Sequence, residues 1–219
     1  MVSSHPAVLG GAREALRPLL DADRHRILVG ITGAPAAGKS TLATSLVEAL
    51  RAEYGPTAAI GVPMDGFHLA NAELSRLGLA NRKGAPETFD AAGFVHLLRR
   101  LRSPHEGEVV YAPSFNRGLN ESIGSAIPVA AGVRTVVVEG NYLLLPQPPW
   151  SAVRDLLDLT LYLDAPTPTR LGALLRRHRS RGLDRAAAED WVYRSDEANA
   201  ALIASTRDLA DRVLSRPVG

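Results

Sequence analysis

Short apolar runs alternate along the chain with longer stretches whose apolar positions recur every three or four residues. The runs 27–32, 58–63, 108–112, 135–139, 159–164 and 212–215 predict strands. Their richness in Val, Ile and Leu suits strands covered on both faces. The stretches 7–20, 40–54, 91–102, 168–181 and 186–206 predict helices, the third with Asp90 as its N-cap. Strand and helix in regular alternation imply a mainly parallel sheet with helices on both sides. Residues 113–128, rich in Ser, Asn and Gly and without periodicity, predict a loop or irregular hairpin of functional length.

Directly between the first strand and the second helix lies Gly33-Ala34-Pro35-Ala36-Ala37-Gly38-Lys39-Ser40, which fits the pattern G-x-x-x-x-G-K-[ST]. With this composition, on the order of 0.002 chance matches are expected in a chain of this length. The glycines let the backbone curl so that successive N–H groups point at phosphate oxygens, and the helix N-terminus adds positive charge. The predicted phosphate site is Gly33, Ala34, Ala36, Ala37, Gly38, Lys39, Ser40 and Thr41. Lys39 reaches the β- and γ-phosphates, and the Ser40 hydroxyl is a Mg²⁺ ligand. The fold class expected is therefore α/β, a P-loop NTPase three-layer sandwich.

A chain of 219 residues, 46% hydrophobic, predicts a single domain over 1–219. Net charge is +2, with arginines scattered among carboxylates, so no nucleic-acid surface is demanded. No cysteine is present, which removes disulfides and thiolate metal sites. Without an export signal or a membrane-spanning run, the expectation is a soluble cytoplasmic protein; a homodimer is compatible with the sequence. Of 25 cationic residues only Lys39 and Lys83 are lysine. Where arginine fills generic cationic positions, a retained lysine suggests a need for a slim ammonium. The Asn/Thr-Lys-x-Asp turn of guanine-reading switches surrounds neither of them.

The strand 58–63 ends in Met64-Asp65-Gly66-Phe67-His68, which places Asp65 where ligands meet an open sheet. Asp65 can accept the proton of an attacking hydroxyl or hold Mg²⁺ through water. His68 either bonds a ligand or fills a polar corner. Glu139, ending its strand, is a second metal candidate, with Asp164 as its competitor. On the helix 168–181, Arg170, Arg177 and Arg181 fall within about 40° of one another and share a stripe facing a cleft.

The ordered set of the phosphate loop, Met64-Asp65-Gly66-Phe67-His68, Arg82-Lys83-Gly84-Ala85-Pro86-Glu87-Thr88-Phe89-Asp90 and Val138-Glu139-Gly140-Asn141-Tyr142 resembles the uridine kinase, phosphoribulokinase and bacterial pantothenate kinase group. Within it, the resemblance is to the nucleoside/nucleotide kinase-like branch with fructose-transport-system-kinase-like members, and covers roughly Ile27 to Leu214. It implies an ATP- and Mg²⁺-dependent kinase acting on a small-molecule hydroxyl, a sugar, nucleoside or pantothenate-like compound. Asp65 would be the catalytic base, and Ser40, Glu139 and Asp65 would manage the metal. Arg177 and Arg181 would act catalytically from a lid at about 166–185. The acceptor would meet His68, Lys83, Glu87, Tyr111, Arg117 and Asn141, with Asn199 a weaker candidate. Asn116 stands where related sequences commonly carry Asp, which removes a charge partner for Arg117. The alternative is a nucleotide-dependent binding module that keeps the loop without turnover.

Overall fold

The computed structural model describes residues 5–22 and 25–217. Five strands, β1 (Ile27–Thr32), β2 (Ala59–Pro63), β5 (Thr135–Glu139), β6 (Leu159–Asp164) and β7 (Arg212–Ser215), form one sheet in the order β2-β5-β1-β6-β7. Every neighbouring pair is parallel. β1 and β5 are buried along their whole length, which accounts for the Val-, Ile- and Leu-rich runs at their centres.

Because side chains alternate across a strand, each strand feeds two cores. Val137, Ile27, Val29 and Ile31 point at α1 (Pro6–Asp21) and α2 (Lys39–Tyr54), meeting Ala12, Leu16, Leu42 and Leu46. Val136, Val138, Leu28 and Val62 point the other way. They meet Phe94 and Leu98 of α4 (Ala91–Arg102), Val153 of α5 (Ser151–Arg154) and Ile203 of α8 (Glu197–Ala204). Asp90 caps α4, its carboxylate accepting from Gly93 N–H at 2.8 Å. Behind the sheet, the buried Arg26 guanidinium donates to the carbonyls of Leu101, Ala130, Ala131 and Val133 and so ties the end of α4 to the turn before β5.

One expectation is corrected. The run 108–112 does not join the parallel sheet. It lies in β3 (Val109–Asn116), which pairs antiparallel with β4 (Glu121–Ala130) in a separate two-stranded hairpin. Proline cannot donate to a ladder, and Pro113 and Pro128 are tolerated because the ribbon has free edges and a register shift between Ala112 and Ser114. The helix expected over 186–206 forms as one continuous helical run, α7 (Arg185–Trp191), a π turn (Val192–Asp196) and α8. A short α3 (Asn71–Arg76), absent from the pattern, follows β2 and its turn. α6 (Thr167–Ser180) forms close to its predicted bounds.

Candidate active site

Parallel pairing fixes where the site opens. Pro63 of β2 and Ile31 of β1 are both level with Glu139 of β5. The segments that follow these residues therefore emerge together at the carboxyl ends of three adjacent strands. They border a cleft of about 1050 Å³.

The phosphate loop leaves β1 through Gly33, whose φ is 147°; a Cβ there would lie 2.4 Å from the Leu163 carbonyl oxygen. It enters α2 through Gly38 at φ 106°, and Ala36 also takes a left-handed φ of 60°. Backbone of this kind gathers successive N–H groups into an anion-binding concavity. Lys39, 8% exposed, folds back so that Nζ donates to Gly33 O at 2.8 Å and Ala34 O at 3.1 Å. Burial pulls its pKa down to about 8 against the opposing charges of Glu139 and Asp65. Ser40 and Thr41 line the cleft from the first turn of α2, whereas Ala37 is sealed in the core.

Ser40 Oγ donates to Glu139 Oε1 at 2.9 Å. Burial pushes the Glu139 pKa up and the neighbouring Asp65 charge adds to it, while Lys39 and Ser40 pull it back. Asp65 sits in the 3₁₀ turn Met64–Phe67 after β2. A hydroxyl and two neighbouring carboxylates form an all-oxygen set suited to Mg²⁺. Among the described residues no group of three or more His, Cys, Asp or Glu could hold a metal alone. Glu139 rather than Asp164 holds this place, since Asp164 lies beside Arg207 and off the cleft.

The stripe on α6 divides. Arg177 and Arg181 face the cleft, and burial followed by the nearby Arg117 charge lowers the pKa of both. Arg170 does not share this role. It is buried, with Nη1 3.0 Å from Glu197 Oε1 and 3.5 Å from Pro35 O, and it pins the base of α6 to the phosphate loop and α8. One turn beyond Leu174, His178 Nε2 lies 2.7 Å from Asp196 Oδ2, supplied by the π turn.

Beside Asp65 the cleft is aromatic. The His68 ring lies between Phe89 and Phe115, at 4.0 and 4.7 Å between centroids. Its Nδ1 is 2.9 Å from Asp65 O, and burial lowers its pKa, so the neutral ring donates from Nδ1. Lys83 Nζ donates to Asn71 Oδ1 at 2.5 Å and Asn120 O at 2.6 Å. Arg117 stands 4.0 Å from Asp65, and Asn141 and Asn199 complete the wall.

Two expected acceptor residues are elsewhere. Tyr111 is 54% exposed on the outer face of β3, because Val110 and Ala112 on either side point inward. Glu87 is in a surface ion pair with Arg82 at 2.5 Å and does not border the cleft. Conversely, Asn71, Phe115, Asn120, Asp196 and Arg216 border it without having been singled out as site residues. The Asn120 contact is made by a backbone carbonyl, which leaves no trace in residue identity.

The fold and the loop are those of a P-loop nucleotide-binding protein, with an aromatic chamber beside the loop. Residues 28–217 match the model of the Phosphoribulokinase / Uridine kinase family, and the chain belongs to that family. A Schizosaccharomyces pombe protein provisionally named a uridine kinase is 35% identical over 199 residues, covering 89% of this chain and 82% of that one. A Leifsonia xyli pantothenate kinase is 34% identical over 73% of this chain, which spans about half (51%) of that enzyme's length. Among solved structures, a provisionally assigned fructose transport system kinase from Silicibacter sp. TM1040 superposes with a TM-score of 0.85 at 38% identity, covering 95% of this chain and 98% of the other.

Proposed function

We propose that this chain is an ATP-dependent kinase that moves the γ-phosphoryl group onto a hydroxyl of a small molecule. The observation that carries this is the meeting of Lys39, the Ser40–Glu139 pair and Asp65 at the ends of three adjacent strands, with an aromatic chamber on the far side of Asp65. The loop amides and Lys39 bind the phosphate tail. Mg²⁺, held by Ser40 with Glu139 and Asp65, would offset charge on the phosphate oxygens. Asp65 orients the acceptor alcohol and takes its proton as the oxygen bonds to the γ-phosphorus and the bond to the β–γ bridging oxygen breaks, releasing ADP. Arg177 and Arg181 stabilise charge on the transferring group, and closure of the segment 166–185 over it excludes water.

We further propose that 1–219 works as a single soluble, cytoplasmic domain. No described helix is long and apolar enough to cross a membrane. The test is ADP release with ATP, Mg²⁺ and a panel of sugars, nucleosides and hydroxy acids. Asp65→Asn is expected to lower acceptor-stimulated turnover by roughly 10²- to 10⁴-fold while ATP affinity changes little. A variant that turns over at the native rate would remove Asp65 from the mechanism.

A further inference from the structure

The cleft is lined by six cationic side chains, Lys39, Lys83, Arg117, Arg177, Arg181 and Arg216, against three carboxylates, Asp65, Glu139 and Asp196. The carboxylates are already engaged: Glu139 by Ser40, Asp196 by His178, and Asp65 by the approach of Arg117. Four of the cations are accounted for by the phosphate loop and the lid: Lys39 within the loop, Arg216 beside Gly38, Arg177 on α6 and Arg181 at its C-terminal cap. Lys83 is not. It lies beyond the aromatic chamber, its Nζ 5.4 Å from the centroid of Phe115, whose ring contacts His68, which is bonded in turn to the Asp65 backbone. Only a few ring widths therefore separate it from the phosphoryl-transfer end.

Both hydrogen bonds of Lys83 go to neutral oxygens, Asn71 Oδ1 and Asn120 O, and it forms no ion pair among the described residues. Glu121, the carboxylate whose charge raises the Lys83 pKa, accepts one bifurcated hydrogen bond from the Asn71 N–H, at 3.0 and 3.2 Å. An ammonium has three donors, so the two neutral acceptors fix its position and leave one N–H for a ligand. Arg181 is close enough to depress the Lys83 pKa, after the larger effect of burial. An excess of positive charge at this end favours an anion and penalises a neutral ligand that leaves the charges unpaired.

We propose that the acceptor is a hydroxylated anion, with a carboxylate or phosphate group held at Lys83 and Arg117 or Arg181 while its hydroxyl meets Asp65. This rests on the kinase assignment and adds the substrate's charge class to it. The two lysines of the chain then divide the work, Lys39 serving the nucleotide and Lys83 the acceptor.

The experiment compares matched pairs in the presence of MgADP by calorimetry and of MgATP by turnover: D-glycerate against glycerol, and ribose 5-phosphate against ribose. The expected result is binding of one anionic member at least tenfold tighter than its neutral twin; the pair that shows it distinguishes carboxylate from phosphate. Lys83→Met should erase this preference by raising the anion's KM roughly ten- to hundredfold, with kcat and the ATP KM changed less than about threefold. Lys83→Arg should retain part of the preference, which separates loss of charge from loss of fold. Equal binding of both twins, binding of the neutral twin alone, or binding of no member overturns the proposal. MgATP binding measured in the same samples shows separately whether the kinase assignment stands.

Discussion

At the scale of single residues, the site depends on placing an ammonium where water hardly reaches it. Lys39 is buried over its own loop, and the cost of burying its charge exceeds the attraction of Glu139 and Asp65, so its pKa falls to about 8. The sign follows from linkage. Below about pH 8 the folded protein carries a buried charge that the unfolded chain would solvate. That penalty is relieved as pH rises toward 10.5, because over this range the unfolded state binds more protons. A polyphosphate beside Nζ reverses the balance and raises the pKa again. At pH 9 binding of MgATP is therefore expected to take up about 0.9 of a proton at Lys39, and at pH 7 far less. Calorimetry in buffers of different ionisation enthalpy reads this directly, and equal proton uptake at the two pH values would show that Lys39 keeps its charge throughout.

At the scale of elements, two buried arginines do work that their position in the sequence does not announce. Arg170 fixes the base of α6 against Pro35 and Glu197, so in the proposed closure α6 would pivot from the phosphate loop itself. Replacing it in Arg170→Met should lower unfolding free energy by about 1–2 kcal/mol and raise the ATP KM about tenfold through misplacement of Arg177. Unchanged kinetics beside an unchanged melting temperature would show that α6 is held by its apolar face alone. Arg26 donates to four carbonyls at the back of the sheet, away from the cleft. Arg26→Ala should shift the urea midpoint by an amount equivalent to about 3 kcal/mol, with kcat unaltered at temperatures where the variant is folded. A midpoint within error of the native one would mean that water replaces the guanidinium without loss.

The same scale shows what could be read in advance. β1, β5 and β6 were legible because strands covered on both faces are short runs rich in Val, Ile and Leu, set off by the helical stretches between them. β4 was legible only as one arm of an irregular hairpin, because a ribbon half in solvent needs no such pattern and tolerates Pro128, Ser122 and Ser125. The π turn was hidden. It inserts into an otherwise helical stretch in order to bring Asp196 to His178, a contact made across 18 residues.

For the whole molecule, the nucleotide half of the site was legible and the acceptor half only in part. The phosphate loop is local in sequence, so identity and spacing suffice. The aromatic chamber draws on β2's turn, α3, the β3–β4 hairpin, α6 and the π turn, and only their mutual packing decides which side chains face inward. Tyr111 and Glu87 lie in the right segments but on the wrong side of them. The central claim, transfer of a phosphoryl group from loop to chamber, is tested most directly by following γ-labelled ATP with Mg²⁺ and the acceptor panel. The account predicts label in an organic phosphate ester, in an amount that tracks acceptor concentration and vanishes in Lys39→Met. Label appearing only as inorganic phosphate, or not leaving ATP at all, would contradict it.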